Sequence, residues 1–169
     1  MNPKTPENSK TIQTDIVLPG DTNSLNNLFG GELLARMDKV ASIAAIKHSE
    51  QIVVTASINN VAFGEPVPNG SILTIQAKVS RAFNTSMEVF IDVWKQNKTH
   101  KKKTKVNEAI YTFVAVTKSG KTVKVPTLVP ETELEKKRFD AALRRRQLSL
   151  VLAGKMKANE ATELKAIFD

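Results

Sequence analysis

Two features of the chain have residue types and spacings that could do chemistry. Gly30 and Gly31 stand together where a polar loop, DTNSLNN, gives way to an apolar periodic segment. A helix N-terminus there would offer unpaired N–H groups and about half a unit of positive charge to an anion or a polarised carbonyl. The same two glycines are equally readable as a place where helix and strand pack closely. Asp38 is the only acid on the segment after Glu32, and it shares a face with Leu34, Ala41 and Ala45. A mid-helix carboxylate of this kind either faces solvent or, held against apolar neighbours, becomes a base or nucleophile. Gly31 and Asp38 are seven residues apart, on nearly one side of a helix but about 10 Å apart along it. One reacting atom cannot meet both at ~3 Å, so a mechanism that uses both needs the carboxylate of a second copy of the chain.

His48 and His100 are far apart in sequence and have no companion ligands, so they read as a helix-end residue and a loop residue rather than a metal site. No phosphate-binding loop, dinucleotide fingerprint, serine-hydrolase elbow or zinc-protease motif occurs. The absence of cysteine excludes thiolate catalysis, disulfides and cysteine-held metal, and it fits a reducing compartment, so a cytoplasmic location is expected. No run approaches the ~20 apolar residues of a membrane span, and the polar start MNPKTPENSK lacks the apolar core of a secretory signal.

The elements that must position these residues follow from periodicity. The chain has 169 residues, 41% hydrophobic and 25% charged, which is enough to build one cored domain rather than a disordered chain. Residues 11–18 read as a first strand, and residues 28–48 as a long helix with apolar residues at three- and four-residue intervals. The small residues Ala41, Ser42, Ala44 and Ala45 imply that something approaches the helix backbone closely, as a wrapping sheet would. Residues 52–63, 71–83, 86–96 and 106–117 alternate as strands, each expected to have one buried face. The joints between them are short enough to join antiparallel neighbours. The result is an α+β pattern, a single antiparallel meander curled around one helix, with its first and last strands as open edges that favour pairing with a second copy.

The net charge of +8 is local: six lysines and no acid lie between Lys95 and Lys105. No aromatic residues interleave with them, so the run reads as a solvated loop between strands, and nucleic acid is not an expected partner. From residue 131 a second helix is predicted, with Thr132 and Glu135 as a capping box and acids preceding bases. Residues 151–169 either extend that helix past Gly154 or fray. The expected organisation is a flexible start over 1–10, a domain over 11–130 and a helical tail over 131–169.

The segment LPGDTNSLNNLFGGELLARMD at 18–38 resembles the signature of the hotdog-fold acyl-coenzyme A thioesterases of the cytosolic acyl-CoA hydrolase type. VVTASINNVAFGEPVPNG, NTSMEVFIDVW and VPTLVPETELEKKRF are similar to further family segments, in the same order. The resemblance covers most of residues 11–146. It implies a five-stranded antiparallel sheet wrapped around one long helix, and hydrolysis of acyl-CoA to a free fatty acid and CoA without a metal or organic cofactor. It also implies a dimer, and a trimer of dimers, with sites shared between subunits. On that resemblance Asn23 and Asp38 are the catalytic pair, Asp38 acting as general base or nucleophile, and Gly30 and Gly31 lie near the thioester carbonyl. Phe63, Arg81 and Ser86 become candidates for holding CoA, with Arg144 to Arg146 as weaker ones. Asn26 stands where many relatives have glycine, and asparagine tolerates the left-handed backbone such a position needs. The alternative on the same scaffold is a non-catalytic acyl-CoA or nucleotide sensor.

Overall fold

The structure is a computed structural model that describes residues 1–97, 99 and 102–168. Lys98, His100 and Lys101 of the basic run lie outside the described residues. The elements are α1 (Pro6–Ser9), β1 (Thr11–Ile16), α2 (Gly30–Ser49), β2 (Ile52–Phe63), β3 (Ile72–Ala82), β4 (Ser86–Gln96), β5 (Lys103–Val116), α3 (Glu133–Leu152) and α4 (Thr162–Lys165). The five strands form one antiparallel sheet that curls around α2.

Helix α2 buries Leu33, Met37, Val40, Ala41, Ala44 and Ala45 against that sheet, the three- and four-residue spacing of the sequence turned into one face. The alanines are fully buried, and their short side chains let the strands come close to the helix backbone. From the sheet, Leu73, Ile75, Ala77 and Val79 of β3 and Met87, Val89, Ile91 and Val93 of β4 complete the core.

The strand order is β1-β3-β4-β5-β2, which corrects the expected single meander. Only β3, β4 and β5 are sequential neighbours; β2 pairs with β5, and the open edges are β1 and β2 rather than the first and last strands. The reason lies in residues 64–71, which cross the end of the sheet instead of turning back. Gly64 N donates to Val106 O at 3.1 Å, and Leu28 N to Val67 O at 2.7 Å. Lys95 Nζ donates to Pro66 O at 2.8 Å. The crossing thus passes the ends of β5 and β4 before the chain enters β3.

A second correction concerns β4, which is covered on both faces. Glu88 and Asp92, on the side expected to face water, are 4% and 5% exposed because α3 lies across them. Arg145 grips Glu88 through Nε and Nη2, at 2.9 and 2.7 Å, and Arg138 donates to Asp92 at 2.9 Å while lying over the Phe90 ring. Pairing is what makes burial of these carboxylates tolerable.

Both ends of the chain make contacts with the rest of the molecule. Residues 4–10, expected to be flexible, are fastened to the body: Lys4 N donates to Thr127 O and Val129 N to Lys4 O, both at 2.9 Å. Ser9 Oγ accepts from Val79 N on β3 at 2.9 Å. At the other end the Thr132–Glu135 capping box opens α3. Helix α3 ends at Leu152 and is not extended past Gly154. Gly154, at φ +67°, reverses the chain. Lys155 N closes the turn onto Leu150 O, and Leu164 N returns to Gln147 Oε1 at 2.9 Å. Among the described residues no helix is long and apolar enough to cross a membrane.

Candidate active site

The loop of residues 21–29 is a small closed hairpin. Phe29 N donates to Asp21 O at 2.8 Å, Asn23 N to Asn27 O at 2.8 Å, and Asn26 N to Asn23 O at 2.9 Å. Asn26 takes the left-handed conformation, φ +56°, that its residue type allows. The Asn23 side-chain oxygen accepts from Leu25 N at 2.9 Å and from Asn27 N at 3.3 Å. Backbone N–H groups only donate, so this atom must be the oxygen, and the Asn23 NH2 is left as a donor to whatever occupies the adjoining cleft.

That cleft, about 300 Å³, is lined by Asn23, Gly30, Phe63, Glu65 and Val106 among others. Helix α2 begins at its edge, and the residue before it, Phe29, provides no side-chain hydrogen bond to the first turn. The first amides of the helix are therefore open to an oxygen acceptor. Gly30 also has a packing role: a Cβ built there would meet the Phe63 ring at 3.3 Å. The close-packing reading of this glycine is thus the one seen directly, with Phe63 lying over the helix start. Gly31 is exposed, with the Phe29 ring beside it. The acid in the cleft, Glu65, is paired with Lys95 at 2.9 Å.

Asp38 lies elsewhere on the same helix, half-buried, where α2 passes β2. Thr55 Oγ1 donates to its Oδ1 at 2.8 Å. Tyr111, buried on β5, donates to Leu34 O one turn earlier at 3.1 Å. Burial first, and the Asp38 charge second, push the Tyr111 hydroxyl up to about 12, so it stays neutral and keeps the proton it donates to Leu34 O. Thr55 escaped the sequence reading because a threonine in a β-branched strand has no distinctive spacing; its partnership exists only once α2 and β2 are docked. Beyond Thr55, β2 carries the half-exposed Ile52, Val54, Ile58 and Phe63 along an edge that no strand covers.

One chain thus brings Asn23, Gly30 and Phe63 together and leaves Asp38 apart. Arg81 and Ser86 do not join them. Ser86 pairs with Val114 and Phe63 with Asn107 of β5, seven residues or about 23 Å apart along that strand. Arg81 donates to Phe139 O at 2.9 Å and stacks on the Phe139 ring, and Ser86 Oγ accepts from Arg146 at 3.1 Å. Arg145 is occupied by Glu88, while Arg146 lies over the Phe83 ring. His48 is buried, its Nε2 donating to Pro126 O at 2.8 Å. Among the described residues no group of three or more acids, histidines or cysteines is placed to hold a metal.

This arrangement matches known proteins closely. Residues 25–101 match the model of the thioesterase superfamily. The chain is 38% identical over 137 residues to the uncharacterized acyl-CoA thioester hydrolase YkhA of Bacillus subtilis, covering 81% of this chain and 80% of that one. A hexameric acyl-CoA thioesterase superposes with a TM-score of 0.87 at 39% identity, over 90% of this chain and 98% of that one. An acyl-CoA hydrolase of Staphylococcus aureus, solved with butyryl-CoA, CoA and CoA disulfide, superposes at 0.82 with 35% identity, over 96% and 98% of the two chains. The chain belongs to the thioesterase superfamily, in its hotdog-fold acyl-CoA hydrolase branch. The Staphylococcus enzyme has also been solved with an asparagine, an aspartate and a threonine each changed to alanine. Those three residues are spaced by fifteen and then seventeen positions, and Asn23, Asp38 and Thr55 have the same order, types and spacing.

Proposed function

We propose that the protein hydrolyses acyl-CoA thioesters to a carboxylic acid and CoA, at sites shared between two copies of the chain. The observation that carries the reading is the separation within one chain. Asn23 and the uncapped start of α2 open onto one cleft, whose own acid is paired with Lys95, while Asp38, held by Thr55, lies more than two turns along the helix beside an uncovered edge strand.

In this reading the α2 amides at Gly30 and Gly31 polarise the thioester carbonyl, and the Asn23 NH2 holds the attacking water or the thioester. Asp38 of the second copy, one oxygen held by Thr55, uses the other to take a proton from water. The hydroxide oxygen bonds to the carbonyl carbon, and the electron pair moves onto an oxygen facing the helix dipole. Collapse breaks the C–S bond, the thiolate of CoA leaves with the electron pair, and the proton on Asp38 returns to it or to water. The reaction as drawn consumes only water. Two copies joined along β2 would cover its half-exposed apolar residues, and such dimers assemble further as a trimer of dimers.

The test is thiol release from acyl-CoAs of graded chain length. Asp38→Asn is expected to lower turnover by about 10²- to 10⁴-fold, the usual value of a general base, with the oligomer intact. Tight acyl-CoA binding by the unmodified protein without thiol release would instead establish a sensor.

A further inference from the structure

One buried basic residue of α2 has no part in the proposed chemistry, yet it contacts three acids. Arg36 is only 9% exposed. Its Nε donates to Glu32 Oε1 at 2.9 Å, one turn back on the helix. Its Nη2 lies 2.7 Å from Asp21 Oδ2, and its Nη1 lies 3.4 Å from Asp15 Oδ2 on β1, an ion-pair contact without a hydrogen bond. One planar guanidinium therefore joins three elements: the edge strand, the base of the 21–29 loop and the first turn of α2.

The consequence runs through Asp21. The carboxylate oxygen that receives Arg36 also accepts from Leu18 N at 2.8 Å, and the backbone oxygen of Asp21 accepts from Phe29 N. Phe29 is the residue at which α2 starts, and its carbonyl receives Leu33 N. Fixing Asp21 thereby fixes both stems of the hairpin that carries Asn23, and fixes them relative to the helix whose amides face the same cleft. Arg36 also neutralises Glu32, whose negative charge in the first turn would otherwise oppose an oxyanion at the helix start. A fork held at 2.9 Å by Glu32 and 2.7 Å by Asp21, with Asp15 at ion-pair distance, is stiff in a way that a lysine ammonium is not.

We infer that Arg36 is a positioning residue for hydrolysis, holding the Asn23 loop and the start of α2 in one geometry through Asp21. The inference rests on the acyl-CoA hydrolysis reading above. It assigns Arg36 no contact with substrate; it acts on turnover by keeping a donor and a set of amides aligned to within the sub-ångström tolerance that preorganisation requires.

The test compares the full-length oligomer with its Arg36→Gln, Arg36→Lys and Asp21→Asn variants, using steady-state thiol release and amide hydrogen exchange. Arg36→Gln is expected to lower kcat about 10- to 100-fold with KM changed less than about threefold, the size of a lost charge-assisted hydrogen bond. Exchange at residues 22–29 is expected to speed up at least about tenfold while the β4 amides stay unchanged. Arg36→Lys, which keeps the charge and loses the fork, should recover part of kcat. Asp21→Asn should reproduce the direction of Arg36→Gln on a less buried partner, and it carries the test if Arg36→Gln does not fold.

Turnover within twofold of the unmodified protein, or exchange rising equally in β4, would overturn the inference. Absence of thiol release from the unmodified protein would instead overturn the hydrolysis reading. The exchange experiment would still decide whether Arg36 holds the loop.

Discussion

Thr55 Oγ1 donates a 2.8 Å hydrogen bond to Asp38 Oδ1, tying the middle of α2 to an edge strand that no other strand covers. This bond orients one carboxylate oxygen, and in the proposed mechanism the other takes the proton. A hydrogen bond to a charged acceptor contributes about 1.5–3 kcal/mol. Thr55→Val, which keeps the shape and removes the hydroxyl, is therefore expected to lower kcat by about 10- to 100-fold at little cost in stability. Thr55→Ser should retain most of the activity. Equal activity in Thr55→Val and the unmodified protein would remove the bond from the mechanism.

His48 sets an acid limit on the fold. Burial, working against the Pro126 carbonyl that accepts its Nε2–H, lowers its pKa, and nearby Lys4 lowers it further. The unfolded chain, with His48 near the usual ~6.5, binds a proton that the native protein refuses. Stability is therefore complete above about pH 6.5 and falls as the pH drops from there toward the lowered native value. His48→Gln, whose amide can still donate to Pro126 O, should lose less melting temperature than the unmodified protein between pH 7.5 and 5.5. An identical loss in both would exclude His48 as the cause.

The clamp of α3 on β4 should dominate the contribution of the tail to stability. Removing Arg145 leaves Glu88, whose side chain is 5% exposed, with only Ser80 Oγ at 2.6 Å. Arg145→Ala is expected to cost ~2–4 kcal/mol in urea unfolding, the upper part of the range being reduced because Arg145 is a quarter exposed. Adding Glu88→Gln should recover part of that loss. A cost below about 1 kcal/mol, the scale of an exposed ion pair, would show that the pair contributes no more than a surface contact.

The long helix, the alternation of β3 and β4 and the Thr132–Glu135 cap were legible in the sequence because each is a local pattern. The place of β2 was not. The 64–71 segment has the proline and glycine of a turn, and whether it reverses or crosses the sheet end depends on Val106, 42 residues beyond Gly64, and Lys95, 29 residues beyond Pro66. The double covering of β4 was hidden for the same reason. Glu88 and Asp92 look like a wet face until Arg145 and Arg138 arrive from α3.

At the site, the seven-residue spacing of Gly31 and Asp38 on one helix was legible as a separation of about 10 Å along the axis. Thr55 and Arg36 were out of reach: the first has meaning only across the α2–β2 packing, and the second only once Asp15, Asp21 and Glu32 converge on it.

The account stands on a site built from two chains, and the most direct measurement mixes two dead ones. Asn23→Ala and Asp38→Ala chains, each inactive alone, are dissociated together and reassembled with mixing proven by mass. Half of randomly formed dimers are hybrids, each with one intact site of two, so about a quarter of the unmodified activity is expected to return. No activity in proven hybrids would place both residues in the site of a single chain and contradict the account.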